Sequence, residues 1–432
     1  MEKQLGKYIA PNILAMVGIS CYVLADTFFI SLAEGADGIT ALNLVIPIYA
    51  IIYALGSMAG VGSATRYALA KSVGGEDTDE YFSGSIWFTL AMSAVFVLCG
   101  IFCPEQLLFL LGADEGIAAT GLAYTRIVLC FAPCFMLNYT FTAFVRNDSA
   151  PGVAMAATLI SGVFNIAFDY IFMFPLGMGM AGAALATGIS PMVSMGICLF
   201  HYLSRKNTVV FSRRRPSLRR FVSACALGMA SFVGELSGGI TTLVFNFILL
   251  GLGGNTAVAA YGVVANIALV GTALFNGVST GLQPVASLAH GRGEREAERK
   301  IYRRSLGIAL GIAVVIVAGA LLFAETLVAL FNSEGSAELA ESAVTGMRLY
   351  FPGFLLAAVN IVKSGFCGAV DRGLESSVTA LSRGIVCITL LAFLLSRALG
   401  MTGVWLSFPA AEAATWLISA LVTRCVQRRP QA

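Results

Sequence analysis

Long apolar runs, separated by short clusters of glycine, proline and charge, make up most of the chain. About 20 apolar residues are needed to cross a hydrocarbon core of about 30 Å, so each run is long enough for a spanning helix. The pattern lacks the alternation typical of a membrane barrel, and an all-α membrane protein is predicted. Cutting at the polar clusters predicts twelve spans: 8–32, 39–65, 83–103, 120–144, 153–174, 181–203, 221–250, 257–287, 303–323, 344–368, 378–396 and 402–424.

Composition agrees with a polytopic membrane protein. Of the 432 residues, 58% are hydrophobic and only 12% are charged, whereas soluble domains are about 25% charged. The N-terminus enters the first span without a small-residue cleavage site, so we expect no removable signal. The ten cysteines are scattered through apolar runs, which favours packing residues over disulfides or a metal site.

The basic residues predict the orientation of the spans. With both termini inside, the inner loops and tails hold all Lys and Arg residues except four, if Arg383 is assigned to the inner side of the eleventh span. Of the four, only Lys363 lies within a span, and Arg126, Arg348 and Arg397 lie at outer ends. The positive-inside rule therefore predicts cytoplasmic termini.

The most basic segment between spans, residues 205–220, lies at the middle of the chain. It predicts a cytoplasmic linker between an N-terminal half, 1–204, and a C-terminal half, 221–432. A basic run between apolar helices is attracted to anionic lipid headgroups, so we expect membrane lipid as its partner and not nucleic acid.

The two halves repeat one another. GVGSATRYALAKSVGGE from Gly60 matches GVSTGLQPVASLAHGRG from Gly277, 217 residues later. Pro133 in FAPCFML aligns with Pro352 in YFPGFLL, and GMAGAALA aligns with GMTGVWLS. Equivalent spans are six apart and share a direction, which predicts two six-helix bundles in a parallel repeat. Such bundles enclose a central cleft and are typical of transporters.

Three acids stand out within predicted spans, where a charge costs about 2.5–3.5 kcal/mol at the membrane centre. Asp26 follows Tyr22 by four residues, Asp169 follows Asn165 by four, and Glu235 lies in the seventh span. The spacing of four places each pair on one helix face. Asp26 and Asp169 are candidates for ion or substrate binding, or hydrogen-bonding links between helices. Glu235 is a candidate substrate contact or a satisfied polar contact.

Two further charged residues in the predicted spans are Lys363 and Glu412. Lys363 has a stem long enough to reach the cytoplasmic surface, or it lies in a functional cleft. Glu412 is another candidate buried acid. We find no nucleotide-binding motif and no nucleophile elbow, so we expect a gradient-driven protein that is not an enzyme and has no cofactor. Carboxyl groups shielded from water bind H+ near neutral pH, and carboxylate, amide and hydroxyl oxygens also suit Na+.

These motifs, in order, resemble the multidrug and toxic compound extrusion (MATE) family across nearly the whole chain. They are YVLADTFFIS, GVGSA with GGED, FVRNDSAP, FNIAFDYIF with GMAGAALAT, GVSTGLQPVASLAHGRGE and GVWLSFPAAE. The chain looks most like the bacterial and archaeal branch with its ion site in the N-terminal lobe. The resemblance implies a V-shaped pair of lobes and a cation-coupling cluster of Tyr22, Asp26, Asn138, Asn165, Asp169 and Thr187.

By the same resemblance, we expect an antiporter that exports amphipathic, often cationic, drugs in exchange for H+ or Na+. The expected setting is the plasma membrane of a prokaryote, as a monomer. The tenth span lacks the acid that another bacterial branch carries, which puts a C-lobe ion site in doubt. The main alternative is a flippase for a lipid-linked sugar, which would need several cations for phosphate where the spans offer Lys363.

Overall fold

The computed structural model describes residues 2–74, 78–111, 113, 115–212, 217–329 and 337–427. In these ranges eleven helices are long and apolar enough to cross a membrane, and one bent pair makes a twelfth. The predicted twelve-span, all-α fold is therefore confirmed. The spans are Leu5–Glu34, Leu44–Ser72, Asp79–Phe102, Glu115–Cys130 with Ala132–Asn147, Pro151–Met173, Gly179–Tyr202, Leu218–Gly254, Thr256–Gly291, Arg295–Leu322, Ala337–Ala369, Gly373–Leu399 and Met401–Cys425.

Three sequence features fall partly outside the described residues. They are the end of the GGED motif at 75–77, the centre of the basic linker at 213–216, and residues 330–336 between the ninth and tenth predicted spans. The basic C-terminal residues 428 and 429, used for the orientation, also lie outside.

The first two spans belong to one hydrogen-bonded helix, Glu2–Ser72, and the seventh and eighth to another, Leu218–Gly291. Ile9 packs against Gly281, while Ser72 packs against Gly291. Ten residues of helix separate the two glycines, about 15 Å at 1.5 Å per residue, so the first helix must reverse direction between its two spans. The second long helix breaks at Gly253 and Gly254, where Gly254 adopts a φ of 60°.

The internal repeat is visible in where the helices break. The fourth span bends by 44° beside Pro133, and the tenth span contains a 3-10 turn, Phe351–Gly353, around the aligned Pro352. Proline removes a helical hydrogen bond, which explains a break at both positions. Short helices, Pro104–Leu110 and Ala324–Ala329, also follow the third and ninth spans. The halves therefore share their irregularities as well as their span number.

Glycines bring the two halves together. Gly62 of the second span lies against the Ala224 carbonyl of the seventh, and Gly228 lies against the Met58 carbonyl. In the matching crossing of the first and eighth spans, a Cβ on Gly281 would lie 2.7 Å from the Cα of Ile9. Backbones approach this closely only where a side chain is absent. Both crossings lie toward the end of the spans that carries the N-terminus.

Ion pairs join the halves at that same end. Arg66 Nη1 lies 3.0 Å from Asp371 Oδ1, and Arg220 Nη1 lies 2.6 Å from Glu80 Oε2. The two bundles are thus in contact at the end that carries the N-terminus of the first span.

Asp148 fastens the start of the predicted linker to the N-terminal half. It accepts hydrogen bonds from His201 Nε2 at 2.9 Å and the Thr208 backbone N–H at 2.9 Å, and it pairs with Lys71 at 3.2 Å. Burial alone would raise the pKa of Asp148, but hydrogen bonds from Thr208 and His201 and the charge of Lys71 lower it below its usual range. The linker therefore leaves the sixth span held against its own bundle.

One predicted position is wrong. Arg383 was assigned to the inner surface, five residues into an eleventh span that would begin at 378. The span begins instead at Gly373, so Arg383 lies ten residues, or about 15 Å, from its start. Its Nε donates to Oε1 of Glu412 at 2.7 Å. The helix extends further than predicted because Glu375 and Ser376, polar residues in its first turn, are buried and hydrogen-bonded to neighbouring spans.

Replacing Gly62 by valine tests the close crossing. The added side chain would meet the Ala224 carbonyl, and such overpacking costs about 1–3 kcal/mol. We expect the purified variant to melt several degrees below the wild type in detergent. Gly311→Val in the ninth span is the matched control, because a Cβ there meets nothing within 4 Å. Equal melting temperatures for the two variants would contradict the crossing.

Candidate functional site

The fifth and sixth spans bring three predicted site residues together. Asn165 and Asp169 lie one turn apart and are 1% and 0% exposed. Asn165 Nδ2 donates to the Thr187 hydroxyl at 3.2 Å, so the sixth span returns to the same place as expected. The turn between the spans contains Gly177 and Gly179 at positive φ, a backbone conformation that glycine adopts readily.

The first span carries the opposing acid. The ring of Tyr22 packs against Gly162 of the fifth span, one turn before Asn165. Asp26 follows one turn later on the same face, half-buried, and lies close enough to Asp169 for an electrostatic interaction. The structure therefore brings Asp26 and Asp169 into one neighbourhood.

Asn138 lies on the fourth span, seven residues beyond Phe131, whose ring packs against Gly188 next to Thr187. The span bends between these two residues, so Asn138 joins the cluster as a prediction and not through an observed contact. Its amide oxygen is buried without a hydrogen-bond partner among the described residues.

The cluster contains more acceptor atoms than donors. Asp169 Oδ1 and Oδ2, Asp26 Oδ1, Asn165 Oδ1 and Asn138 Oδ1 are all buried and without a hydrogen-bond partner within the described ranges. No basic side chain in those ranges forms an ion pair with Asp26 or Asp169. Buried oxygens without donors are costly, and two carboxylates raise that cost further.

Two ligands would satisfy this set of oxygens. A proton converts a carboxylate into a neutral group that donates one hydrogen bond. A small hard cation such as Na+ is coordinated by carboxylate, amide and hydroxyl oxygens, and the cluster offers all three types. The donor set fits both ions.

Glu235 lies at the seam between the halves. Tyr139 of the fourth span donates its hydroxyl to Glu235 Oε1 at 3.0 Å. Tyr22 and Tyr53 each lie near enough to interact electrostatically with both Asp26 and Glu235. A satisfied polar contact is therefore present, and it places Glu235 beside the N-terminal cluster.

A column of tyrosines, which the sequence analysis did not identify, connects these groups. Tyr49 and Tyr53 have ring centroids 5.5 Å apart, and Tyr53 and Tyr139 have centroids 6.1 Å apart. At the other end, the hydroxyls of Tyr49 and Tyr124 lie 3.2 Å apart. The signal was in the sequence, since YAIIY places two tyrosines one helical turn apart inside an apolar span. We refer to Tyr124, Tyr49, Tyr53 and Tyr139 as the tyrosine column.

The two open charges of the C-terminal half have different surroundings. Lys363 is half-buried, six residues from the end of the tenth span. Glu412 is 2% exposed and is paired with Arg383, with Asn360 Nδ2 donating to its other oxygen at 2.8 Å. Glu412 is therefore buried as predicted, but with a basic partner.

Comparisons with known proteins agree with this architecture. The MatE family model matches residues 11–171 and 231–396. The multidrug export protein MepA of Staphylococcus saprophyticus is 26% identical over 415 residues, covering 94% of this chain and 90% of that protein. MepA of Staphylococcus aureus strain MRSA252 is 25% identical with the same coverage.

Solved transporter structures share the fold. An outward-facing multidrug resistance MATE family transporter of the MOP superfamily superposes with a TM-score of 0.91 at 24% identity, covering 98% of this chain and 95% of its own. A MOP superfamily transporter from Pyrococcus furiosus, described as having a binding pocket of reversed polarity that suggests a different function, gives a TM-score of 0.90 at 23% identity, with the same coverage. These likenesses establish a V-shaped fold of twelve spans.

A bound cation should stabilise the folded protein by mass action, by about 2.7 kcal/mol at 100 times its dissociation constant. We expect the melting temperature of the purified protein to rise when NaCl replaces choline chloride, or when the pH is lowered toward 6. Asp169→Asn should remove the response, since its amide cannot take up a proton or balance a cation. Asp79→Asn, outside the cluster, should keep it. A wild type that responds to neither ion would contradict the cation site.

Proposed function

The chain belongs to the MatE family of membrane transporters, and from this premise we propose that it is an antiporter that exports amphipathic, often cationic, compounds in exchange for H+ or Na+. Relatives covering nearly its whole length are named as multidrug export proteins. The proposed coupling site is the cluster of Tyr22, Asp26, Asn138, Asn165, Asp169 and Thr187.

The observation that carries the coupling role is the fully buried Asp169 carboxyl, both of whose oxygens are without a donor among the described residues. An acid kept only for packing between helices would be expected to hydrogen-bond with them. An acid without partners needs an ion from outside the protein. Since that ion must enter and leave, the site suits exchange driven by a gradient.

The tyrosine column and Glu235 suit the exported compound. Aromatic faces attract organic cations and accept flat apolar surfaces, and a nearby carboxylate favours a positive charge. Tyr49, Tyr53 and Tyr139 are half-buried, so part of each ring remains accessible. In this proposal Glu235 exchanges the hydroxyl of Tyr139 for the cationic group of the substrate, with Asp26 and Asp169 close by.

Exchange requires that ion and substrate favour different states of the two halves. With the termini in the cytoplasm, the contacts of Arg66 with Asp371 and of Gly62 with Ala224 close the cytoplasmic side, and the cleft opens outward. An ion that binds more tightly to the outward-open state stabilises that state, and the substrate is then released outside. A substrate that binds more tightly in the inward-open state releases the ion inside, and linkage requires no shared atom.

A lipid-linked sugar flippase is the alternative. Its phosphate would need cations in the cleft, and Arg383 lies within a span besides Lys363. The guanidinium of Arg383, however, is already bonded to Glu412. Acceptor oxygens and tyrosines, which suit cations better than phosphate, surround the N-terminal cluster.

Ethidium export from energised cells that lack their own pumps tests this function. We expect wild-type chain to lower cellular ethidium, and Asp169→Asn to lose at least about tenfold in rate, since a lost coupling group removes more than the 1.4 kcal/mol that a factor of ten represents. Asp79→Asn, matched in chemistry and in membrane expression, should export normally. Export by Asp169→Asn at the wild-type rate would remove Asp169 from the coupling site, and no export by the wild type would contradict drug transport.

A further inference from the structure

The C-terminal half contains its own polar cluster at mid-membrane depth. Glu412 is 2% exposed and lies eleven residues into the twelfth span, about 16 Å along a helix. Arg383 Nε donates to one of its oxygens at 2.7 Å, and Asn360 Nδ2 donates to the other at 2.8 Å. Asn360 is fully buried, and its own amide oxygen is without a described partner.

This cluster is the counterpart of the cation cluster in the repeat. Its residues come from the tenth, eleventh and twelfth spans, which correspond to the fourth, fifth and sixth. With the offsets of 219 to 221 between the halves, Asn360, Arg383 and Glu412 align with Phe141, Phe164 and Pro191. Each of these lies within about one helical turn of Asn138, Asn165 or Thr187. Both halves therefore have a polar site where their last three spans meet.

The two sites differ in how the charge is balanced. Asp26 and Asp169 have no basic partner in the described ranges, whereas Glu412 has a guanidinium, which stays protonated in proteins. Arg383 lies in a π-helical turn, Ser382–Val386, a local irregularity often found at functional positions. The turn packs against the seventh span, where the Thr241 hydroxyl donates to the Gly384 carbonyl at 3.4 Å.

We propose that Arg383 is a built-in cation, which occupies in the C-terminal half the place that an exchangeable H+ or Na+ takes in the N-terminal half. Glu412 and Asn360 position it. The inference rests on the proposed function for its meaning, because it makes the transporter asymmetric: one half exchanges a cation and the other keeps its own. Tyr350 is a titratable residue that lies near enough to interact electrostatically with both Glu412 and Arg383.

The proposal makes a gain-of-function prediction. Removal of the guanidinium leaves the Glu412 carboxylate and the unpartnered amide oxygen of Asn360, a pair of ligands for H+ or Na+. The test uses purified protein in the background Asp26→Asn/Asp169→Asn, which removes the N-terminal site. Bound ²²Na+ is counted, and protonated carboxyl groups are followed by infrared difference spectroscopy between acidic and alkaline pH.

We expect the background chain to bind no ²²Na+, and its infrared difference spectrum to contain only the protonation of its remaining acids, such as Glu235. Adding Arg383→Gln should create a site for about one Na+ or one proton per chain, and adding Glu412→Gln should abolish it. Arg383→Lys, which keeps a positive charge, should behave like the background. The proposal is overturned if Arg383→Gln gains no cation, or if the background binds a cation that Glu412→Gln removes.

Folding is controlled separately. Should Arg383→Gln not fold, cations are counted on Arg383→Gln/Glu412→Gln with an intact N-terminal site, because a neutral pair of similar shape is tolerated where a single buried charge is not. An unchanged count supports the built-in cation and a lower count overturns it. A comparison of cation binding by the wild type and by the Asp26→Asn/Asp169→Asn variant reports on the N-terminal site alone. Failure of the proposed coupling site is therefore distinguishable from failure of this inference.

Discussion

The cost of an uncompensated charge away from water governs how this protein is built. At the membrane centre each acid must find a partner, and the two halves meet that requirement differently. Glu412 is held by Arg383 and Asn360, both part of the protein. Asp169 is fully buried with two oxygens lacking a described donor, and in the proposed function an ion from solution completes the site. An internal repeat with one self-sufficient half and one incomplete half provides a physical basis for coupling to a single ion gradient.

The geometry connects that incomplete site to the seam between the halves. Asn138 and Tyr139 are adjacent on the fourth span, and the second of them donates to Glu235 of the other half. Movement of the fourth span on ion binding would therefore change the contact with Glu235. Around this contact, the glycine crossings and the pair of Arg66 with Asp371 hold one end closed. Leu5, Tyr8 and Ile9 of the first span also pack into the core of the C-terminal half, so this end is held by apolar packing as well as by polar contacts.

Much of this organisation could be predicted from the sequence, because apolar run length, positive charge and the repeat act locally. The spans were predicted and are present, and Asn165 meets Thr187 as the family resemblance implied. The breaks beside Pro133 and Pro352 were not predicted, although the repeat aligned these two prolines. The position of Arg383 was not, because Glu375 and Ser376 look like loop residues until their buried partners are known. The tyrosine column and the link to Glu235 depend on packing between the halves, which no local pattern encodes.

Transport by purified protein in liposomes, with one ion gradient imposed at a time, tests the central claim of ion-coupled export most directly. Fluorescent organic cation is followed on imposing a pH gradient at constant Na+, and then a Na+ gradient at constant pH. The account predicts that one of the two gradients drives the cation against its own gradient, and that the drive is lost when Asp26 and Asp169 are both replaced by asparagine. Movement that follows neither gradient, or that survives the double replacement, would contradict it.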